Sequence, residues 1–163
     1  MAKILVIDDE RSIRNSMKDI LSFEGHEVSI AENGLEGLVA VKTNKPEVVF
    51  CDIKMPKMEG IEVLERIKEI APETSVVMIS GHGTIDTAIE AIKKGAYDFI
   101  EKPLDLNRIL ITIKNATDKS QLLQEQQTLK TKVSKKYEMI GSSAALNHIR
   151  EMIGKVAVSD ARV

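Results

Sequence analysis

Val48-Val49-Phe50-Cys51-Asp52-Ile53-Lys54-Met55-Pro56 runs from four apolar residues into one carboxylate, then into a loop that Pro56 and Gly60 turn away from the strand direction. A short unbroken apolar run suits a strand covered on both faces of a parallel sheet. Asp52 therefore stands at the carboxyl end of a central strand, the edge at which open α/β sheets bind ligands. An Asp in this place also serves as a cap for the loop or the next helix, so its meaning depends on what else reaches the same edge.

The flanking sequence alternates in type. Ile4-Leu5-Val6-Ile7 is a second apolar run that ends in carboxylates, Asp8, Asp9 and Glu10. Ile13, Met17, Ile20 and Leu21 then follow helical spacing up to Gly25, a natural stop. Val28-Ser29-Ile30-Ala31 predicts a strand, and Asn33 with Glu36 has the spacing of an N-cap and its N3 partner ahead of Leu35, Leu38 and Val39. Beyond Asp52, Ile61, Leu64 and Ile67 predict a third helix closed by Pro72, and Val76-Val77-Met78-Ile79 a strand leading into Ser80-Gly81-His82-Gly83. Ile85, Ala88, Ile89 and Ile92 share one face of a fourth helix stopped at Gly95. A last strand near Asp98-Phe99-Ile100-Glu101 runs into Lys102-Pro103, and Leu106, Ile109, Leu110 and Ile113 open a fifth helix. Five strand-helix pairs predict an α/β fold, an open, doubly wound parallel sheet.

Composition narrows the function classes. With 163 residues, 43% of them hydrophobic, the chain suits one domain plus an extension. A net charge of −2 with both signs interleaved gives no basic face for nucleic acid or an anionic membrane. The lone Cys51 has no disulfide partner in the chain and fits a small core residue in a reducing compartment. Met1-Ala2-Lys3-Ile4 leads into a strand without a signal-peptide pattern, and no run approaches a membrane span, so a cytoplasmic location is expected.

The polar residues then fall into a pattern. Asp8 and Asp9, Asp52, Ser80 and Lys102 each follow the apolar run of a different strand, so all should emerge on one edge of the sheet. Carboxylates crowded together raise one another's pKa and need positive partners. Lys102 is one, and a bound cation the other. Oxygen ligands without His or Cys suit a hard ion, above all Mg²⁺, which shares its shell between carboxylates, water and phosphate oxygens. That set fits phosphoryl chemistry, in which the metal and a Lys hold phosphoryl oxygens and a hydroxyl such as that of Ser80 donates to another.

Four motifs, Val6-Ile7-Asp8-Asp9-Glu10, Cys51-Asp52-Ile53-Lys54-Met55-Pro56 with Gly60, Met78-Ile79-Ser80-Gly81-His82 and Glu101-Lys102-Pro103, resemble the receiver domain of two-component response regulators. The resemblance covers residues 1–119. It implies a flavodoxin-like sheet of order 2-1-3-4-5 in which Asp52 takes a phosphoryl group from a phosphohistidine of a sensor kinase. It further implies Mg²⁺ on Asp9, Asp52 and the Lys54 carbonyl, with Asp8 acting mainly through water. Lys102 would pair with the phosphoryl group, Ser80 and Phe99 would form the switch pair, and Lys54 and His82 would tune loss of the acyl phosphate. Each residue also has a plain reading: a salt-bridged Lys102, a turn Ser80, a core Phe99 and a solvated His82. His26, His82 and His148 lack partners at metal-ligand spacing.

From Asn115 to Lys136 no Gly or Pro interrupts the chain, so the fifth helix is expected to continue as a linker over 120–137. An apolar row through Ile109, Ile113, Ala116, Ser120 and Leu123 keeps roughly coiled-coil spacing before it decays at Gln127 and Lys130, where a register through Leu122, Leu129 and Val133 takes over. A parallel dimer and a solvated spacer are both open. The 138–163 segment, with a helix expected from Ser142 or Ser143, resembles the entry to the AAA+ ATPase domain of NtrC-type activators of sigma-54 RNA polymerase. That resemblance implies a longer parent protein that hydrolyses ATP and binds DNA, with a chain here that binds no nucleic acid and is no enzyme beyond its own phosphorylation and dephosphorylation. Two other readings are a single-domain regulator acting by docking and an Asp-nucleophile phosphatase. The haloacid dehalogenase type of the latter places its two Asp at i and i+2, whereas Asp8 and Asp9 are adjacent.

Overall fold

The computed structural model describes the backbone of residues 1–140 and the side chains of 1–133. Strands β1 (Lys3–Ile7), β2 (Glu27–Ala31), β3 (Val48–Asp52), β4 (Ser75–Ser80) and β5 (Asp98–Glu101) alternate with helices α1 (Arg11–Phe23), α2 (Gly34–Asn44), α3 (Gly60–Ile70), α4 (Ile85–Lys93) and α5 (Leu106–Ile140). The strands pair in parallel in the order β2-β1-β3-β4-β5, as expected of a doubly wound, flavodoxin-like sheet. The chain divides into a unit of Met1–Gln121, which holds the whole sheet, and a second of Leu122–Val163. The helix expected from Ser142 or Ser143 lies outside the described residues.

Successive strand residues leave by opposite faces, and that alternation builds two cores. Leu5, Ile7, Val49, Cys51, Val76 and Met78 pack with Val41 of α2 and Val63, Leu64 and Ile67 of α3. Ile4, Val6, Val48, Phe50, Val77 and Ile79 pack with Met17 and Leu21 of α1 and with Ile109, Ile113 and Ala116 of α5. Each fully buried Val, Leu or Ile contributes roughly 1.5–3 kcal/mol. Every residue of β3 and β4 is buried, which explains why residues 48–51 and 76–79 are unbroken apolar runs instead of alternating.

The helix ends follow local chemistry. Asn33 Oδ1 accepts from the Glu36 N–H at 2.9 Å, as the spacing predicts, while the Glu36 carboxylate takes the N–H of Glu32 instead of that of Asn33. Gly25 and Gly95, at φ +89° and +106°, turn the chain after α1 and α4 in a conformation that other residues rarely adopt.

Two apolar rows are used differently from their spacing. In α4, Ile85, Ile89 and Ile92 are exposed and Ala91 alone is buried, because this nine-residue helix seats its small residue against the sheet. In α5, Ile109, Ile113 and Ala116 are spent in the domain's own core, so that part of the row is not free to form a seam between chains. Leu122, Leu129 and Val133 are exposed.

Candidate functional site

The parallel register assembles the site. Ile7 pairs with Cys51, so the residues that follow, Asp8 and Asp52, leave β1 and β3 side by side. Asp52 pairs with Ile79 and Ser80 with Glu101, which brings Ser80 and Lys102 to the same edge. Behind Asp52 the chain folds back on itself: the Gly60 N–H donates to the Ile53 carbonyl at 2.8 Å. A Cβ at Gly60 would collide with the Asp52 carbonyl oxygen, so this close approach needs glycine.

Lys102 is the centre of charge. Its Nζ lies 3.2 Å from Asp8 Oδ2, 3.3 Å from Glu10 Oε1 and 3.5 Å from Asp52 Oδ2. Asp8 and Asp52 are buried, while Asp9 and Glu10 stand exposed at the rim. Asp8 Oδ1 accepts from the Glu10 N–H at 2.8 Å. Its Oδ2 is buried and has the Lys102 charge nearby but no hydrogen-bond partner. One carboxylate oxygen from each of Asp8, Asp9 and Asp52 lies within 4.8 Å of the others.

Burial first, and then the charge of Asp8, pushes the Asp52 carboxyl up to about 6 against the pull of Lys102. Asp8 is also raised, chiefly by burial, although the Glu10 N–H and Lys102 oppose it. Burial works to lower the Lys102 pKa, but attraction to Asp8 and Asp52 and the hydrogen bond to Glu10 together carry it above the ordinary lysine value. The lysine therefore stays charged, and one cation is left to face a surplus of carboxylates. The Cys51 thiol is driven far up by burial and then by Asp52 and Asp8, which suits a core residue and not a nucleophile.

Three carboxylates with no imidazole or thiolate among them, one oxygen buried and unbonded, form a donor set that fits a hard divalent cation such as Mg²⁺. Such an ion supplies charge neutralisation for a phosphoryl group at the same edge.

Ser80 is buried, and its Oγ accepts from the His82 N–H at 3.3 Å. Phe99 is half-buried against the β3–β4 core. A Cβ at Gly83 would stand 2.5 Å from Phe99 Cζ and 3.3 Å from Ser80 Cβ, so glycine leaves room for the ring beside the serine. Lys54 and His82 are exposed in the loops after β3 and β4. The structure thus gathers Asp8, Asp9, Asp52 and Lys102 into one cluster and sets Ser80 with Phe99 beside Gly83. Sequence reasoning gave Glu10 no role, although its place directly after the paired aspartates was the available signal. It also passed over Arg14, a buried cation at the register of Met17 and Leu21.

The response regulator receiver domain family matches residues 4–114. The chain belongs to that family. It is similar to the nitrogen assimilation regulatory protein NtrX of Azorhizobium caulinodans, 36% identical over 162 residues, which are 98% of this chain and 36% of that protein. Among solved structures it is similar to NtrX from Brucella abortus, with a TM-score of 0.74 and 42% identity over 96% of this chain and 35% of that one. The Brucella protein has also been crystallised with ATP. A beryllofluoride-activated NtrC4 receiver domain dimer matches with a TM-score of 0.70 and 42% identity, over 74% of this chain and 99% of that one. The receiver and the residues that follow it span about a third of the length of the curated relatives they match. Among the described residues of this receiver, no helix is long and apolar enough to cross a membrane.

Proposed function

We propose that this receiver accepts a phosphoryl group on Asp52 from the phosphohistidine of a sensor kinase, with Mg²⁺ held by Asp9, Asp52 and the Lys54 carbonyl and by Asp8 largely through water. The observation that supports it is the convergence of Asp8 and Asp52 on Lys102, whose Nζ lies 3.2 Å from the first carboxylate and 3.5 Å from the second, at the carboxyl edge of the sheet. An Asp52 oxygen bonds to phosphorus as the phosphorus–nitrogen bond breaks, and the electron pair stays on the imidazole. Lys102 then exchanges carboxylate partners for a phosphoryl oxygen, while the Ser80 hydroxyl donates to another. Turning Ser80 away from the His82 N–H alters the space beside Gly83, and Phe99 follows it. The chain's own chemistry ends with loss of the phosphoryl group to water, at a rate that Lys54 and His82 tune from the rim.

The kinship with NtrX and the tail resemblance support a cytoplasmic transcription regulator that works through sigma-54 RNA polymerase. Residues 1–119 are then the receiver, 120–137 a linker helix that pairs two chains, and 138–163 the entry to an ATPase domain. ATP hydrolysis and DNA binding belong to the longer protein. Mass spectrometry after incubation with acetyl phosphate or phosphoramidate and Mg²⁺ should show one added phosphoryl group, lost in Asp52→Asn. Undiminished labelling of that variant would overturn the assignment, and sustained turnover of p-nitrophenyl phosphate would favour a phosphatase.

A further inference from the structure

Arg14 is a charged residue on the buried face of α1, in line with Met17 and Leu21, and only 8% of it is exposed. A guanidinium is costly to bury unless its N–H groups are met. Its Nη1 donates to the Asp8 backbone carbonyl at 2.7 Å, and its Nη2 lies 3.8 Å from Glu32 Oε2 in the loop after β2. The single side chain therefore ties α1 and the loop after β2 to the loop that carries the first two carboxylates.

The bond to the Asp8 carbonyl acts on the site in a way that a packing contact does not. That oxygen lies in the rigid peptide plane joining Asp8 to Asp9, so holding it fixes the direction in which both side chains leave the backbone. The rest of Asp8 is held as well: its N–H donates to the Ala31 carbonyl at 3.2 Å, and its Oδ1 takes the Glu10 N–H. Asp8 Oδ2 is what remains, buried and without a hydrogen bond.

We infer that Arg14 is a positioning residue for the divalent cation, its buried guanidinium locking the Asp8–Asp9 peptide so that the two carboxylates converge on the ion. The inference rests on the receiver reading above. A residue that only packed α1 against the sheet would lower thermal stability and leave the affinity of the folded protein for Mg²⁺ unchanged. A positioning residue lowers that affinity, because removing the outer partners of metal ligands typically weakens binding about 10–100-fold. Lysine keeps the charge but not the planar fork that bonds the Asp8 carbonyl while facing the Glu32 carboxylate, so it should restore the function only in part.

The test is a calorimetric Mg²⁺ titration of the full chain and of Arg14→Gln and Arg14→Lys, at a temperature where circular dichroism shows each folded. Arg14→Gln should bind Mg²⁺ at least about 10-fold more weakly, with Arg14→Lys between it and the unchanged chain. Labelling of Asp52 by acetyl phosphate should recover in both variants once Mg²⁺ is raised to saturation. If Arg14→Gln does not fold, Arg14→Lys decides by the same titration. A folded variant with unchanged Mg²⁺ affinity overturns the inference while leaving the receiver reading intact. An unchanged chain that binds no Mg²⁺ and takes no phosphoryl group overturns that reading instead.

Discussion

Lys102 Nζ lies 3.5 Å from Asp52 Oδ2, yet the Asp52 carboxyl still holds its proton up to about 6, because burial and Asp8 outweigh the lysine. An unfolded Asp titrates near 3.9, so between about pH 4 and 6 the folded chain binds a proton that the unfolded chain has lost. This group's contribution to stability is present below that window and falls as pH rises through it, by at most roughly 3 kcal/mol for a two-unit difference. In EDTA, the gain in stability from Asp52→Asn should therefore be larger at pH 7 than at pH 4.5. Urea denaturation of both chains across this range checks it, and parallel pH profiles would count against it.

Mg²⁺ should reverse the penalty. An ion bound to the folded chain adds stability that grows with occupancy, while Asp9 at the exposed rim is the carboxylate whose loss disturbs the core least. Asp9→Ala should abolish the Mg²⁺-dependent rise in melting temperature and leave the metal-free protein as stable or slightly more so, by relief of repulsion. An unchanged rise in that variant would place the ion elsewhere.

The edge that gathers these charges was legible in the sequence because each polar residue directly follows an apolar run, and parallel register converts that adjacency into proximity. The strands were legible for the same reason: β3 and β4 are buried on both faces and have no polar alternation to mislead. What periodicity could not reveal was which helix faces would be used. The Ile85, Ile89 and Ile92 row looks like a core face and is exposed, whereas Ile109 and Ile113 begin a plausible coiled-coil row and are consumed by the sheet. Spacing records that a face is apolar but not which neighbour covers it. Arg14 escaped notice because hydrophobic periodicity discounts a charge, though a charge in a buried register is where an internal hydrogen bond is to be sought.

Gly83 offers a direct test of the contact with Phe99. A methyl group there would stand 2.5 Å from Phe99 Cζ, too close for the ring to keep its place. Gly83→Ala should cost about 1–3 kcal/mol, as overpacking commonly does. Because the clash is with one side chain, the cost should shrink by more than half in a Phe99→Leu background. Strict additivity of the two changes in a double-mutant cycle would show that the alanine acts elsewhere.

The exposed apolar residues of α5 lead to the prediction that two chains pair along the helix. Leu122 and Leu129 are seven residues apart with Val133 four further on, and all three are more than half exposed. With Ile109, Ile113 and Ala116 already packed in the receiver, the seam has to begin beyond Ser120. A helix this polar is marginal in water without packing support, and a second copy supplies it along the Leu122, Leu129 and Val133 row. Gln126 falls between Leu122 and Leu129 in the seam, so pairing should be weak. Weak pairing suits a switch, since a coupling of about 1–3 kcal/mol shifts a weak dimer far more than a strong one. Sedimentation velocity should show a dimer for the unchanged chain, a monomer for the Leu122→Asp, Leu129→Asp double variant, and a changed dimer population with beryllofluoride. Equal sedimentation of the two chains in both states would leave the linker a solvated spacer.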